Sequence, residues 1–359
     1  MTIQTDVLIV GGGFAGVSVA QALEKQGIHT TLVDQKEYFE VTFATLRNLA
    51  DPGATGNRAR KHYKDFLKGR FIQSRVQTLG PQRAVLSDGA EIRFKHGIIA
   101  SGTRYPGLPI AKTDESMGFQ ARNNELMTAH TRLKKARKVM IIGGGVVGVE
   151  LAGEIAHAHP HIQLILAHNS DVLLNGFKQK AQARAQQQLK SLGVEIEFNR
   201  RYQKQDDRYI DQNTGHISDA DLVYEATGVL PNNDFLKAEL AQILNAKGFV
   251  KIDKQLQVEG ISHLYALGDI AEVGEARLGY LAVEQGKHLA RVIANKLEGK
   301  AVKAYKRNPL MALIPVGQKQ GVVQFPFAVT TAGFLVGLKQ KDLFINKIYK
   351  GFGTTPNAS

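Results

Sequence analysis

The sequence contains no cysteine and no tryptophan in 359 residues. Without a thiol there is no disulfide staple, no thiolate nucleophile or metal ligand, and no cysteine-held iron–sulfur cluster. Electrons handled by this chain cannot pass through a protein disulfide. Long apolar runs are also missing, since nothing approaches the roughly 20 apolar residues of a membrane-crossing helix. The apolar start Val7–Val10 runs straight into glycine, so it reads as a strand rather than a signal peptide. With no targeting segment in view, the cytoplasm is the expected compartment. Acidic residues are scarce: 33 Asp and Glu face 46 Lys and Arg, for a formal net charge of +13. Such an excess suits anionic lipid, nucleic acid or dinucleotide phosphates, and equally a solvated basic surface.

What the chain has in excess is glycine, 36 in all, and it clusters. Val7–Val10 is followed by Gly11-Gly12-Gly13-Phe14-Ala15-Gly16, a G-x-G-x-x-G between a strand and a helix expected over 16–25. Gly11 permits the tight turn, Gly13 lets backbone approach a pyrophosphate, and Gly16 lets helix pack on strand. The helix start then offers free N–H groups and a positive dipole end to phosphate. A second strand over 30–33 ends at Asp34, where a carboxylate accepts from ribose hydroxyls.

The same unit recurs at Val139–Ile142 with Gly143-Gly144-Gly145-Val146-Val147-Gly148, and Glu150 and Glu154 follow on its helix, expected over 148–158. Gly143, Gly145, Val147 and Gly148 are candidate contacts to a second dinucleotide. Its next strand, 163–167, ends in His168 rather than an acid, so the 2′-phosphate of NADPH meets no carboxylate and the choice of nicotinamide stays open. Glu150 reads either as a contact to the nicotinamide end or as a solvated first-turn carboxylate. A third strand, 264–267, leads to Gly268 and Asp269. Tyr280-Leu281-Ala282 opens an amphipathic helix to about residue 297. Arg83–Leu86 and Glu91–Phe94 alternate like an inserted antiparallel meander. The histidines at 157, 159, 161 and 168 lack metal-site spacing around Pro160, and no metal is expected.

Two glycine turns, an Asp after a late strand, and the crossings Ala100-Ser101-Gly102 and Ala226-Thr227-Gly228 resemble the flavoproteins with two dinucleotide domains. The stretches Val33–Lys36, Ala44–Arg47, Gly148–Glu150, Leu256–Gly260 and Lys339–Phe344 narrow the likeness. The chain resembles apoptosis-inducing-factor-like flavoproteins of the ferroptosis-suppressor type, and more broadly type II NADH dehydrogenases. That resemblance implies FAD on the first turn and NAD(P)H on the second. Gly11, Gly13, Phe14, Ala15, Gly16, Asp34, Lys36, Arg47, Val76, Ala100, Gly102, Gly228, Gly268, Asp269, Leu281 and Ala282 would then serve the cofactors, Asp269 at the ribityl chain and Val76 at adenine. Lys339 and Phe344, with Glu150, would lie at the flavin or quinone end. The implied activity is NAD(P)H:quinone oxidoreduction. The rivals are reduction of a small electron-carrier protein, or a flavin-based redox sensor on nucleic acid suggested by charge alone, and no nucleic-acid partner is expected.

The expected fold is α/β, with two doubly wound Rossmann-type domains, the second inserted in the first, and a small C-terminal α+β module. The boundaries are 1–108 and 233–302 for the FAD domain, 109–232 for the NAD(P)H domain, and 303–359 for the separate module. N-myristoylation is not expected, because Thr2 stands where glycine is required. Leu343, Phe344, Ile348 and Phe352 fall at helical spacing among lysines. That stretch could lie on a membrane surface or cap the flavin domain. Whether the chain forms a homodimer is left open.

Overall fold

The computed structural model describes residues 2–358. The apolar strand before the first glycine turn is Thr2–Val10, longer at its start than the apolar run. Its first half, half-exposed, pairs in parallel with the first half of Glu91–Ile99, and its buried second half with the second. Thr30–Asp34 and then Arg70–Gln73 extend the sheet in parallel on the other side. The expected antiparallel meander is present at Arg83–Leu86 and Glu91–Phe94, but its last strand runs on to Ile99. Glu91–Ile99 is one strand with two kinds of neighbour beyond it: Arg83–Leu86 antiparallel to its start, and Leu264–Ala266 parallel to its end. Val76–Leu79 closes the antiparallel corner.

A second parallel sheet runs in the order Glu195–Glu197, Gln163–Ala167, Lys138–Ile142, Leu222–Glu225. Both sheets are covered by helices, as parallel strands buried on both faces require. The chain passes between the sheets at Thr103–Arg104 and Leu230–Pro231, and these two short strands pair antiparallel with each other. Residues 236–258 return to the first core, with Leu236, Leu240, Val250 and Val258 fully buried there.

The C-terminal segment departs from expectation. Among the described residues it has no core of its own. Its strands Ala312–Val316 and Gln320–Gln324 bury Ile314, Val316 and Val322 in the core of the second sheet. Its last helix, Ile345–Gly351, buries Ile345 and Tyr349 with Phe39, Val41 and Val17 of the first. The residues at helical spacing do not share one helix: Gly333–Gln340 ends before Leu343, and Ile345–Gly351 begins after Phe344. Between them Leu343 and Phe344 sit at φ +51° and +57°. Bulky residues rarely take this left-handed conformation, and packing of Leu343 in the core offsets the cost.

A buried charge cluster fixes the helix Phe119–Lys135 onto the first unit. Arg122 binds Glu40 through Nε and Nη2 at 3.1 and 3.2 Å, and Arg60 reaches the same carboxylate at 3.4 Å. Burial opposes the charge on Glu40, yet Arg122 and then Arg60 hold its carboxyl below the ordinary value of 4.5. A carboxyl with a lowered native pKa binds protons more readily in the unfolded chain, so its stabilisation is present above 4.5 and lost as pH falls through the native value. Glu40→Gln should therefore lower unfolding free energy by about 3–5 kcal/mol at neutral pH, because it leaves two arginines underpaired. Urea titrations between neutral and acid pH should also show a shallower acid loss in the variant. Equal acid slopes in both chains would overturn this assignment.

Candidate active site between two glycine turns

The two glycine turns have nearly the same geometry. Gly11 and Gly143 stand at φ +105° and +116°, and a methyl on either would strike the carbonyl of Ala100 or Ala226 at 2.4 or 2.6 Å. Gly16 and Gly148 allow the helix to touch its strand, since a methyl there would meet Gly11 O at 1.9 Å or Gly143 O at 1.8 Å. The helices that follow, Phe14–Glu24 and Val146–Ala158, have neither a side-chain cap nor a first-turn acid. At Gly13 and Gly145 a methyl would meet nothing within 4 Å. Orphan N–H groups facing open space at a positive helix end fit a pyrophosphate. Both helices begin two residues earlier than expected, which puts Phe14, Ala15 and Val147 in the first turn.

The residue after the second strand separates the two sites. Asp34 Oδ2 accepts from Gly12 N at 2.6 Å and its Oδ1 from Lys36 N at 2.8 Å, while the Lys36 ammonium lies over Tyr38. In the second unit His168 takes the same place, its Nδ1 accepting from Gly144 N at 3.1 Å. An Nδ1 that accepts leaves the proton on Nε2, and burial lowers the imidazole pKa, so the ring is neutral. Val76 follows the end of Arg70–Gln73, near the Ser74 N–H bond to Asp34 O.

Asp269 lies where the third strand ends, in a cleft of about 260 Å³ with Gly268, Leu278 and Ala282. Gly268, at φ +74°, packs on Ala15 and donates its N–H to Gln285 on the helix Gly279–Leu297. Asp269 accepts from Lys112 Nζ at 2.7 Å and from Thr103 Oγ1 at 3.1 Å. Burial would raise its pKa, but Lys112 and Thr103 hold it below the ordinary range. Lys112 went unrecognised in the sequence, because nothing local links it to a residue 157 positions away. Leu281 and Ala282 are buried in the first turn of that helix. Gly102 and Gly228 both take positive φ at the crossings.

Arg47 ties separate elements together. Its guanidinium binds Glu154 through Nε and Nη2 at 2.8–3.1 Å, and Gln340 O and Oε1 at 2.6 and 2.7 Å. All three residues are buried. The arginine thus joins the first unit, the second glycine-turn helix and the C-terminal helix. One residue before Gln340, Lys339 donates to Glu150 Oε1 and Leu313 O, both at 2.9 Å, and its ammonium stands 5.2 Å over the Phe43 ring. Phe43 stacks on Phe14 of the first glycine turn. Burial pushes the Glu150 carboxyl above the ordinary range against the pull of Lys339. Glu150 is thus paired and buried, not solvated. Phe344 is not drawn into this group, and its ring instead carries the Lys347 ammonium at 5.3 Å. Phe43 was missed in the sequence, since an aromatic in a short helix-flanking loop carries no motif.

Two Rossmann-type units, each with an uncapped glycine turn, define a two-dinucleotide flavoprotein oxidoreductase. Residues 5–286 match the pyridine nucleotide-disulphide oxidoreductase family, and the chain belongs to it. It is 30% identical over 368 residues to ferroptosis suppressor protein 1 of Xenopus tropicalis, covering 97% of this chain and 96% of that one. Its fold is similar to the sulfide:quinone oxidoreductase of Aquifex aeolicus (TM-score 0.80, 15% identity, 97% of this chain and 92% of that one). It is also similar to NDH2 of Plasmodium falciparum in complex with NADH (TM-score 0.76, 14% identity, 97% of each chain). The protein is a flavin-dependent NAD(P)H oxidoreductase of the ferroptosis-suppressor type, with FAD and NAD(P)H as cofactors.

The two turns can be tested separately. Gly148→Ala should give protein that still carries flavin but is no longer bleached by NADH or NADPH. Gly16→Ala should be isolated without flavin colour. Visible absorbance reads both outcomes, and far-ultraviolet circular dichroism shows whether the fold survives. Loss of flavin from Gly148→Ala alone would reverse the assignment of the turns.

Proposed function

We propose that the protein transfers electrons from NAD(P)H on the second turn, through FAD on the first, to a quinone beside Lys339. The observation that carries this reading is the donor count at Lys339. An ammonium has three N–H groups. Two are taken by Glu150 and Leu313, and among the described residues no hydrogen bond takes the third. A cation with one spare donor, at the edge of the Phe14–Phe43 aromatic pair, suits a flat carbonyl acceptor that gains negative charge on reduction. The absence of cysteine agrees, because a member of this family without a thiol pair must discharge its flavin directly.

When bound, FAD supplies the hydride acceptor and a two-electron store. The balance is NAD(P)H, one proton and quinone giving NAD(P)⁺ and quinol. The hydride brings two electrons and one proton, and Lys339 Nζ is placed to pass the second proton to the quinone oxygen. Glu150 holds that ammonium in place through its hydrogen bond. Arg47, Glu154 and Gln340 fix the lysine's helix and act as positioning residues. At the second turn, His168 stands where an acid would repel a 2′-phosphate, so NADH and NADPH should both be used.

Stopped-flow absorbance tests the two half-reactions separately. Lys339→Met should leave flavin bleaching by NADH nearly unchanged and slow reoxidation by a short-chain quinone by about 10²-fold or more. Equal reoxidation rates would sink the role of Lys339. Rapid bleaching with no quinone-driven reoxidation in the parent chain would favour a protein acceptor instead. His168→Asp should raise the preference for NADH over NADPH about tenfold, roughly 1.4 kcal/mol, in steady-state kcat/KM.

A further inference from the structure

After the helix Gly279–Leu297, residues 303–308 run alongside it as a strap that is neither helix nor strand. Between helix and strap is a cleft of about 510 Å³, separate from the one that holds Asp269. The helix lines it with His288, Arg291 and Asn295, and the strap with Lys303, Tyr305 and Lys306. Tyr305 ties the strap down. Its N–H donates to Lys254 O at 2.6 Å and its hydroxyl to Glu275 Oε2 at 3.0 Å. Asn308 donates its backbone N–H to the other Glu275 oxygen.

Charge in the cleft is unbalanced. Arg291, Lys303 and Lys306 are exposed, and among the described residues none of them has a carboxylate within ion-pairing distance or a side-chain hydrogen bond. The one acid on the lining, Glu284, has its partner in Lys287 at 2.8 Å. His288 adds a second, independent signal. Its ring stands edge-on to Tyr305 with centroids 5.2 Å apart, and its buried Nε2 has no hydrogen-bond partner among the described residues. A buried imidazole nitrogen left unpaired costs free energy that a bound polar group would recover.

We infer that this cleft binds the phosphate group of a small phosphomonoester, or inorganic phosphate itself. A phosphate brings about two negative charges and three acceptor oxygens to three unpaired cations. It also answers His288 in both protonation states, since its oxygens accept from a protonated ring and a P–OH donates to a neutral one. A cleft of this volume takes a metabolite rather than a polymer. Glu275 gives the site a route to the flavin. The same Oε2 that accepts from Tyr305 accepts from Gln285 Nε2 at 3.0 Å, and Gln285 Oε1 accepts from Gly268 N at 2.7 Å. Anion binding that tightens the strap therefore steadies the turn that carries Asp269. This consequence, though not the binding, rests on the reading of Asp269 as a flavin contact.

Isothermal titration calorimetry with inorganic phosphate tests the site on FAD-loaded protein saturated with NAD⁺, so that both glycine turns are filled. Chloride keeps the ionic strength constant. The parent chain should bind one phosphate, and an Arg291→Gln, Lys303→Gln, Lys306→Gln triple variant should bind it about tenfold more weakly or worse. Removing three exposed charges elsewhere, as Arg132→Gln, Lys134→Gln, Lys135→Gln, should leave binding unchanged. Phosphate should also slow flavin release on dilution about twofold in the parent, and not in the first variant. The inference is overturned if the parent takes up no more phosphate than chloride explains, or if the two triple variants bind alike. It is also overturned if only a DNA duplex, and not phosphate, distinguishes them. Phosphate binding without slower flavin release would break the link through Glu275 while the site stands.

Discussion

The ion pair between Arg47 and Glu154 sets the positions of the groups around it. Both residues are buried, and a charge in that setting needs a partner and saturated hydrogen bonds to be tolerated. Gln340 supplies the remaining acceptors, and its own amide donates to Gly317 O and Gln320 O. Arg47 belongs to the chain of the first sheet, Glu154 to the second glycine-turn helix, and Gln340 to the C-terminal helix. The functional pair follows from the same register. Glu150 is one helical turn before Glu154, and Lys339 is the residue before Gln340. Moving either of the two helices against the other would separate Lys339 from Glu150 as well.

The two glycine turns could be read from sequence because their constraints are local. A positive φ at Gly11 and a 1.9 Å approach at Gly16 admit no other residue, so glycine had to be written there. Asp34 and His168 were legible for the same reason, each following its strand at a fixed distance from its turn. The third strand, two residues before Gly268, was placed correctly at Leu264, and it pairs beside Ile98 and Ile99.

The remainder was hidden because distance in the chain carries no local signal. Arg47 is 107 residues from Glu154 and 293 from Gln340, and a short A-x-L-R stretch says nothing about either. The tail misled for another reason. Apolar residues at helical spacing show which side is greasy but not where a helix breaks. Leu343 and Phe344 adopt a conformation their propensities disfavour, held by packing from elements far upstream. Strand length was misread at Glu91–Phe94 because one strand changes partners halfway, and alternation ends where burial on both faces begins.

The crossings between the two sheets have a different consequence. The chain leaves the first sheet at Thr103–Arg104 and comes back at Leu230–Pro231, and these segments are hydrogen-bonded to each other. For the host sheet, the whole second unit closes like a hairpin loop, and loop-closure entropy grows only with the logarithm of what is inserted. A second nucleotide-binding unit could therefore have been acquired during evolution with little penalty to the folding of the first. The interlock at Arg47 would make such an acquisition hard to reverse. Excising the guest would leave a buried guanidinium with no carboxylate, which makes the inserted unit an obligate part of its host.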